Sequence, residues 1–467
     1  MSDEPAEMRH TPWTESLGLT MLSRGFRLAI DPRKLSIAFA ALFLIYAYGR
    51  VLDGLWSRES KAVAAGGVSE IQRFRDSGFS RSGTVQWREQ VSAQKPTRRG
   101  PFVALANHWR TDLHGLAGAV LSLNVRGILA TIVSAFAGLA WLLLLHPFYA
   151  ILFVPPALVI AALGGGAICR IAALDATRDE RTHPLDAVRF AASKLTSFVA
   201  APLLPVAFGV VLGLLLLLGG LFGSIPGLGT LLAPLFWFLA LLGGLVIAAL
   251  VIGLVLGWPL MWPTIAVEGS DAFDAMSRSY NYVCERIWRT LFYGGFALLY
   301  GAICFWFVKL FCRVMLFAVH FWVGLGMNLG DASGPNGASV SDKLSAMWKA
   351  PALDFSTTFY GEPAYQVLSG ASRAGSWLIA LWTYAVVTLV GAFLISYFHS
   401  AGTLIYLLLR RDVDATDLEE VYEEESADET APTPAPATGE GSGAGSAESL
   451  ASLPVVGEAA PPKTAGP

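Results

Sequence analysis

The sequence predicts an all-α fold: a polytopic transmembrane helix bundle of six or seven spans with an internal parallel repeat. Three observations lead there. Between Lys194 and Glu268 lie 73 consecutive residues with no Asp, Glu, Lys, Arg or His. Elements of a soluble domain need a solvated face, so a run of that length belongs in lipid. The whole chain of 467 residues is 54% hydrophobic and 15% charged, with a mean hydropathy of +0.53. Soluble domains carry about 25% charged residues. Finally, a short helical pattern recurs at an offset of 88 residues.

Each element follows from apolar runs and their breakers. Residues 1–56 hold a polar N-terminus and a first apolar helix, Ser36–Trp56. Only Ser36 to Gly49 precede Arg50, and Asp53 follows, so this helix reads as re-entrant or interfacial, with a full span as the alternative. No cleavable signal peptide is expected, because no small-residue cleavage site follows the run. Residues 57–126 read as a cytoplasmic polar loop. The membrane bundle, 127–325, opens with Gly127–Leu145 and Phe148–Cys169, a tight hairpin at His146-Pro147. About 20 apolar residues cross a bilayer core, so the uncharged tract holds two spans, Phe198–Leu221 and Leu231–Met261. Their turn is the breaker cluster from Gly219 to Gly227. Leu291–Leu310 is the next span, with Val314–Met327 expected along the membrane surface. An external loop (326–375) and a last span within 376–411 (Trp377–Leu409) complete the bundle. The tail, 412–467, has ten acidic residues and no base from Asp412 to Glu429, then turns Pro/Ala/Gly/Ser-rich, the composition of a disordered segment.

Orientation follows from Lys and Arg placement. The stretches 57–126, 170–198, 264–290 and Arg410-Arg411 hold 21 bases on one face, against five on the other. That places the first face and the C-terminus in the cytoplasm. With a half-buried first helix, both termini are inside and six spans remain.

The repeat pairs Thr182–Val188 with Ser270–Met276. Each copy opens on a hydroxyl suited to an N-cap. Leu185, Val188, Ala192 and Leu195 match Phe273, Met276, Tyr280 and Val283, a helical stripe. Each unit (about 148–221 and 231–310) therefore reads as span, amphipathic elbow helix, span, with both elbows on one face. Asp186, Arg189, Asp274 and Arg278 are the candidate functional surface, Asp274 and Arg278 forming an i,i+4 pair.

The second elbow runs from Glu268 through Ala275-Met276-Ser277-Arg278-Ser279 to Trp288-Arg289. It resembles a bacterial multi-spanning membrane domain family that includes the membrane domain of some glycerophosphodiester phosphodiesterases. The resemblance covers about residues 147–325. The first copy departs from the pattern, with Arg189 in place of the serine. The resemblance implies a membrane domain without its enzyme, and no catalytic residue comes with it.

Candidate chemistry is sparse. Asn107-His108 followed by Asp112 is similar to the entry of glycerolipid acyltransferase sites, where His is the base. That family places four residues between His and Asp, and here there are three. His108 and His114 are six apart, so they do not stack on one helical face as metal ligands. The cysteines (Cys169, Cys284, Cys304, Cys312) form no CxxC and read as packed thiols. Lys309, Arg313 and His399 are the candidate intramembrane polar groups. The first two are expected to snorkel at the outer interface, and His399 to be packed or capping.

The expected function is that of a non-enzymatic scaffold or lipid-organising module of the bacterial plasma membrane, with no cofactor. The alternative is a transporter or channel for a small or lipid-like substrate, and more remotely a glycerolipid acyltransferase. Expected partners are the lipid bilayer and a homo-oligomer or envelope protein; no feature suggests nucleic acid.

Overall fold

The computed structural model describes residues 18–57, 60–92, 96–328, 343–349, 368, 370–417 and 420–422. In chain order the helices begin with α1 (Leu19–Ser23), α2 (Gly25–Ala29) and α3 (Pro32–Leu55). A three-stranded antiparallel sheet in the order β2-β1-β3 follows, made of β1 (Ala62–Ala65), β2 (Val68–Ser69) and β3 (Thr97–Arg99). Between its strands lie α4 (Glu70–Asp76) and α5 (Arg81–Ser92). Next come α6 (Pro101–Leu121), α7 (Val125–Leu145), α8 (Pro147–Thr177), α9 (Pro184–Ser193) and α10 (Leu195–Gly223). After the turn come α11 (Leu228–Leu232), α12 (Trp237–Glu268), α13 (Ala272–Glu285) and α14 (Ile287–Asn328). The last two are α15 (Lys343–Met347) and α16 (Gly370–Asp414).

Among the described residues seven helices are long and apolar enough to cross a membrane: α3, α7, α8, α10, α12, α14 and α16. The chain is a multi-pass helical membrane protein. Six of the seven run end to end through the bundle. The face carrying α9 and α13 is called the elbow face below.

The first helix differs from its sequence expectation. Asp31 caps α3 by accepting from the Arg33 amide at 2.9 Å, and Pro32 sits at N1, where it lacks no partner. At this end Lys34 reaches Asp175 of α8 at 3.0 Å. At the other end Tyr149 of α8 donates to Asp53 at 2.8 Å. Tyr149 and Asp175 are 26 residues apart, or about 39 Å of helix, so α3 runs along the whole of α8. The charge at Asp53, which seemed to end the apolar run, is buried as a cap: it accepts from the Phe102 and Val103 amides at 3.1 and 3.0 Å, holding the start of α6.

Consequently the described residues of 57–121 sit at the end of α3 and α8 opposite the elbow face. They are folded helices and a sheet rather than a polar loop, and they do not share a face with 170–198. Helix α7 turns back along α6, with Trp109 donating to the Ala135 carbonyl at 3.1 Å. The far end of α6 packs at Ala117 beside Phe305, Cys312 and Leu316 of α14. Those positions are about 24–40 Å along the helix from Arg289 at the elbow end of α14, so α7, paired with α6, does not reach the elbow face. Six through-running helices thus bring both ends of the described chain to the elbow face, with α3 taking the place expected for α7.

Helix α14 is one continuous 42-residue helix. The expected break into a span and a surface helix is absent, because no proline interrupts the stretch and Lys309 and Arg313 are buried within the protein. The external loop at 326–375 falls largely outside the described residues, as does most of the tail.

Prolines fix where helices adhere. A proline leaves the carbonyl four residues earlier without its amide. Pro156 frees the Leu152 carbonyl, which accepts from Tyr48 at 2.7 Å. Pro202 frees that of Phe198, which accepts from the Trp262 indole at 2.8 Å. Pro263 frees that of Pro259, against which Gly402 of α16 closes; a Cβ there would come within 2.7 Å of the oxygen.

Candidate functional site: a cationic cleft on the elbow face

The ends of α8, α12 and α16 converge beneath α9 and α13. Small residues permit the approach: a Cβ on Gly165 would lie 2.2 Å from the Trp262 ring. Phe190 and Ala191 of α9 and Ala275 of α13 bury against Phe198, Met261, Ile265 and Ala266. The seam between the two span–elbow–span units is therefore filled with side chains.

Charged groups ring this knot. Glu268 ends α12, and Gly269 terminates the helix at φ 64°, the left-handed conformation natural to a C-terminal glycine. The Glu268 carboxylate accepts from Tyr406 and pairs with Arg410 at 3.3 Å and Arg278 at 3.0 Å. Lys194 donates to the Gly269 carbonyl at 2.7 Å. Arg170 lies over the Phe190 ring at 4.5 Å and donates to the Ala266 carbonyl at 3.0 Å.

The chain's own segment Glu420–Tyr422 lies in the cleft these groups form. Three successive carbonyls are held by three arginines: Glu420 by Arg410 at 2.6 Å, Val421 by Arg178 at 3.2 Å and Tyr422 by Arg170 at 2.7 Å. The Tyr422 amide donates to the Val267 carbonyl at 2.8 Å, and its ring lies on Gly269 with the Lys194 ammonium 5.4 Å away. Val421 is buried. Below it, Tyr282 donates to Asp414 and Arg289 pairs with Asp412. Burial, reinforced by Asp414, raises the Tyr282 hydroxyl above its ordinary value. Such a cleft grips an extended backbone by charge-assisted hydrogen bonds.

The sequence candidates fall in four places. Among the described residues Asp186 and Arg189 pair only with each other, at 3.1 Å, on the exposed edge of α9. Asp274 pairs with Arg278 at 3.0 Å, and this bond chiefly holds Arg278 above its ordinary value. Arg278 thereby joins the Glu268 network instead of pointing only at water. Lys309 and Arg313 do not snorkel: they are 3% and 4% exposed, and the Lys309 ammonium lies 3.4 Å from His114 Nδ1 on α6. His399 is packed as expected, stacked on Trp262 at 5.2 Å.

The elbow caps are His183 and Asp271, each one residue beyond the expected hydroxyl. Leu185 and Phe273, equivalent under the 88-residue offset, are 60% and 59% exposed, while Ala187 and Ala275 are buried. The buried side of α9 is Ala187, Phe190 and Ala191, so it lies beside the expected stripe, not on it.

On the far face, His108, Asp112, Ser134 and Arg75 meet. Ser134 donates to Asp112 at 3.0 Å and accepts from Arg75 at 3.0 Å. Both Ser134 Oγ and Asp112 approach the same nitrogen, His108 Nε2, at 3.4 and 3.2 Å. A nucleophile–base–orienter relay needs them on opposite nitrogens. The Asn-His element also lies inside helix α6, and the apolar run Pro101–Ala106 before it is helical rather than a strand. Glu70 is buried beside Arg88 and His146 at 3.8 Å and accepts from the Val63 amide at 2.8 Å. Burial alone would raise its carboxyl; His146, Val63 and Arg88 outweigh that and hold it below the usual range. Among the described residues no three His, Cys, Asp or Glu side chains could hold a metal ion together.

No family model, curated protein or solved structure matches the chain.

The sequence reading missed Arg170, Arg178, Lys194, Glu268 and Arg410. Each ends or flanks an apolar run, where a base ordinarily marks a membrane boundary. The one local signal was Val421-Tyr422, an apolar pair inside an acidic run.

Proposed function

We propose that the chain is a non-enzymatic scaffold or lipid-organising module of the bacterial plasma membrane, with its elbow face in the cytoplasm. The observation that carries this reading is the cationic cleft, which holds an extended peptide segment by its main chain and so has the form of a protein-docking surface. The sidedness rests on Lys and Arg in short connections and flanks. Long folded connections translocate largely regardless of charge, so the 57–146 connection is set aside. The elbow face then has 14 such residues (Arg24 to Lys34, Arg170 to Lys194, Arg278 to Arg289, and Arg410-Arg411) against six opposite (Arg50, Lys309, Arg313, Lys343, Lys349 and Arg373). The folded 57–121 region belongs on the envelope side, where a homo-oligomer or envelope protein would meet it.

A parallel duplication of the span–elbow–span unit accounts for the matched burial of Ala187 with Ala275. It also agrees with the resemblance to the multi-spanning membrane domain family. A transporter or channel is the second reading. The seam between the two units, where a substrate path would run, is packed with Phe198, Trp262 and Ile265, which favours the scaffold.

Purified protein in liposomes should show no lipid turnover and no solute flux above protein-free liposomes. A photo-crosslinker at Phe273 in native membranes should trap a defined partner or a second copy. Glycerolipid turnover lost on His108→Ala would replace this reading by an enzyme, and saturable flux would replace it by a transporter.

A further inference from the structure

Beside the cleft lies a second feature, a groove of about 610 Å³ between α1–α2 and the end of α8. Arg24, Arg27 and Arg178 line it, over an apolar floor of Met21, Leu28 and Leu404. Arg24 and Arg27 are exposed, one turn apart, and their side chains make no hydrogen bond or ion pair among the described residues. Asp175 and Asp179 also line the groove, but neither pairs with Arg24 or Arg27 among the described residues, so these two exposed arginines leave a place for an external anion.

Charge accounting supports this. Asp175 is already held by Arg33 and Lys34 at 2.9 and 3.0 Å. Of the groove's lining residues Arg24, Arg27 and Arg178 are cationic and Asp175 and Asp179 anionic, a surplus of one positive charge. The C-terminus of α8 subtracts only about half a charge.

Depth supports it too. Gly18 packs on Leu408 and the Ala29 carbonyl accepts from Ser396 at 2.8 Å, so α1–α2 lies along the last turns of α16. Leu404 is six residues, or about 9 Å, short of Arg410. The groove therefore opens where the apolar bundle gives way to the charged elbow face, at headgroup depth. Basic pockets between helices at that depth suit phosphate headgroups, and planar guanidinium forks match phosphate oxygens.

We propose that Arg24, Arg27 and Arg178 form a binding site for a phosphate ester group, with a phospholipid headgroup as the source favoured by the depth of the groove. This deepens the lipid-organising part of the proposed function and rests on the elbow face meeting the membrane surface. The site also touches the cleft, because Arg178 holds the Val421 carbonyl.

The test uses the purified full chain in neutral detergent, with thermal unfolding followed against added lipid. Phosphatidylglycerol should raise the midpoint saturably, phosphatidylcholine should do so far less, and the Arg24→Ala/Arg27→Ala pair should weaken the apparent affinity at least tenfold. Should the pair not fold, Arg24→Gln alone serves, with a smaller loss in the same direction. Inorganic phosphate or glycerol phosphate giving the same arginine-dependent shift, with lipid inert, would keep the phosphate site and assign its source to a soluble anion. Equal responses from wild type and variant, or none to any phosphate ligand, would overturn the site. That failure would leave the scaffold reading standing, since turnover or flux in liposomes decides that reading separately.

Discussion

The α10–α12 pair and the elbow-face knot of α8, α12 and α16 are both built from helices apolar enough to cross a membrane, yet the structure treats them oppositely. From Leu203 to Phe222 the large side chains of α10 are mostly exposed, and a Cβ on Gly213, Gly219 or Gly220 would meet nothing within 4 Å. From Ser400 to Leu409 nearly every α16 residue is buried, and Gly402 is pressed against a carbonyl. Lipid solvates the first region and protein the second. Hydropathy measures transfer out of water, so it cannot tell the two apart. Close approach and polar pairing can.

The largest effect should come from the knot's charge network. Glu268→Ala leaves Arg410, whose side chain is 11% exposed, with no carboxylate among the described residues but that of the exposed Glu420, at 4.0 Å. Breaking a buried pair on one side costs about 3 kcal/mol, and thermal unfolding in detergent should register it. Next, Gly402→Val and Gly165→Ala should each cost about 1–3 kcal/mol by overpacking, Gly402 the more because it faces backbone. A smaller effect is expected at the tail. Tyr422→Ala should leave the unfolding midpoint nearly unchanged but speed limited proteolysis near residue 420 several-fold, because the anchor on Gly269 is gone.

Glu70 carries the same reasoning to the far face. Its folded carboxyl is held below the ordinary value, so its contribution is fully present above about pH 4.3. That contribution is lost as pH falls through the depressed folded value. Glu70→Gln should therefore flatten the acid side of the stability profile while lowering stability at neutral pH. Least of all, Gly220→Ala in the lipid-facing region should be neutral, or stabilising by up to about 1 kcal/mol through helix propensity. A comparable loss at Gly220 and Gly402 would erase the distinction between the two regions.

Much of this architecture is readable without coordinates. The uncharged tract alone requires two spans, and the elbow helices begin within two residues of their expected starts. Misreadings arose where a polar group acts across a long sequence distance. Asp53 looks like the end of a span because its partners, the Phe102 and Val103 amides, are about 50 residues away. Lys309 looks destined for the interface because His114 is 195 residues earlier. The cleft was invisible for the same reason: Arg170 and Tyr422 are 252 residues apart. Local periodicity reports which face of a helix is apolar, and it carries no information about which distant charge will meet it.

The central claim is that α3 crosses, so that residues 57–121 and the two elbow helices lie on opposite sides of the membrane. It is tested most directly by single-cysteine labelling in sealed vesicles of one orientation, with Cys284, exposed on α13, replaced by serine. A membrane-impermeant maleimide should reach cysteines at Arg189 and Asp274 from one side only, and cysteines at Ser82 and Ser224 from the other only. Labelling of Ser82→Cys from the same side as Asp274→Cys would contradict the account and restore the 57–126 stretch to the elbow face.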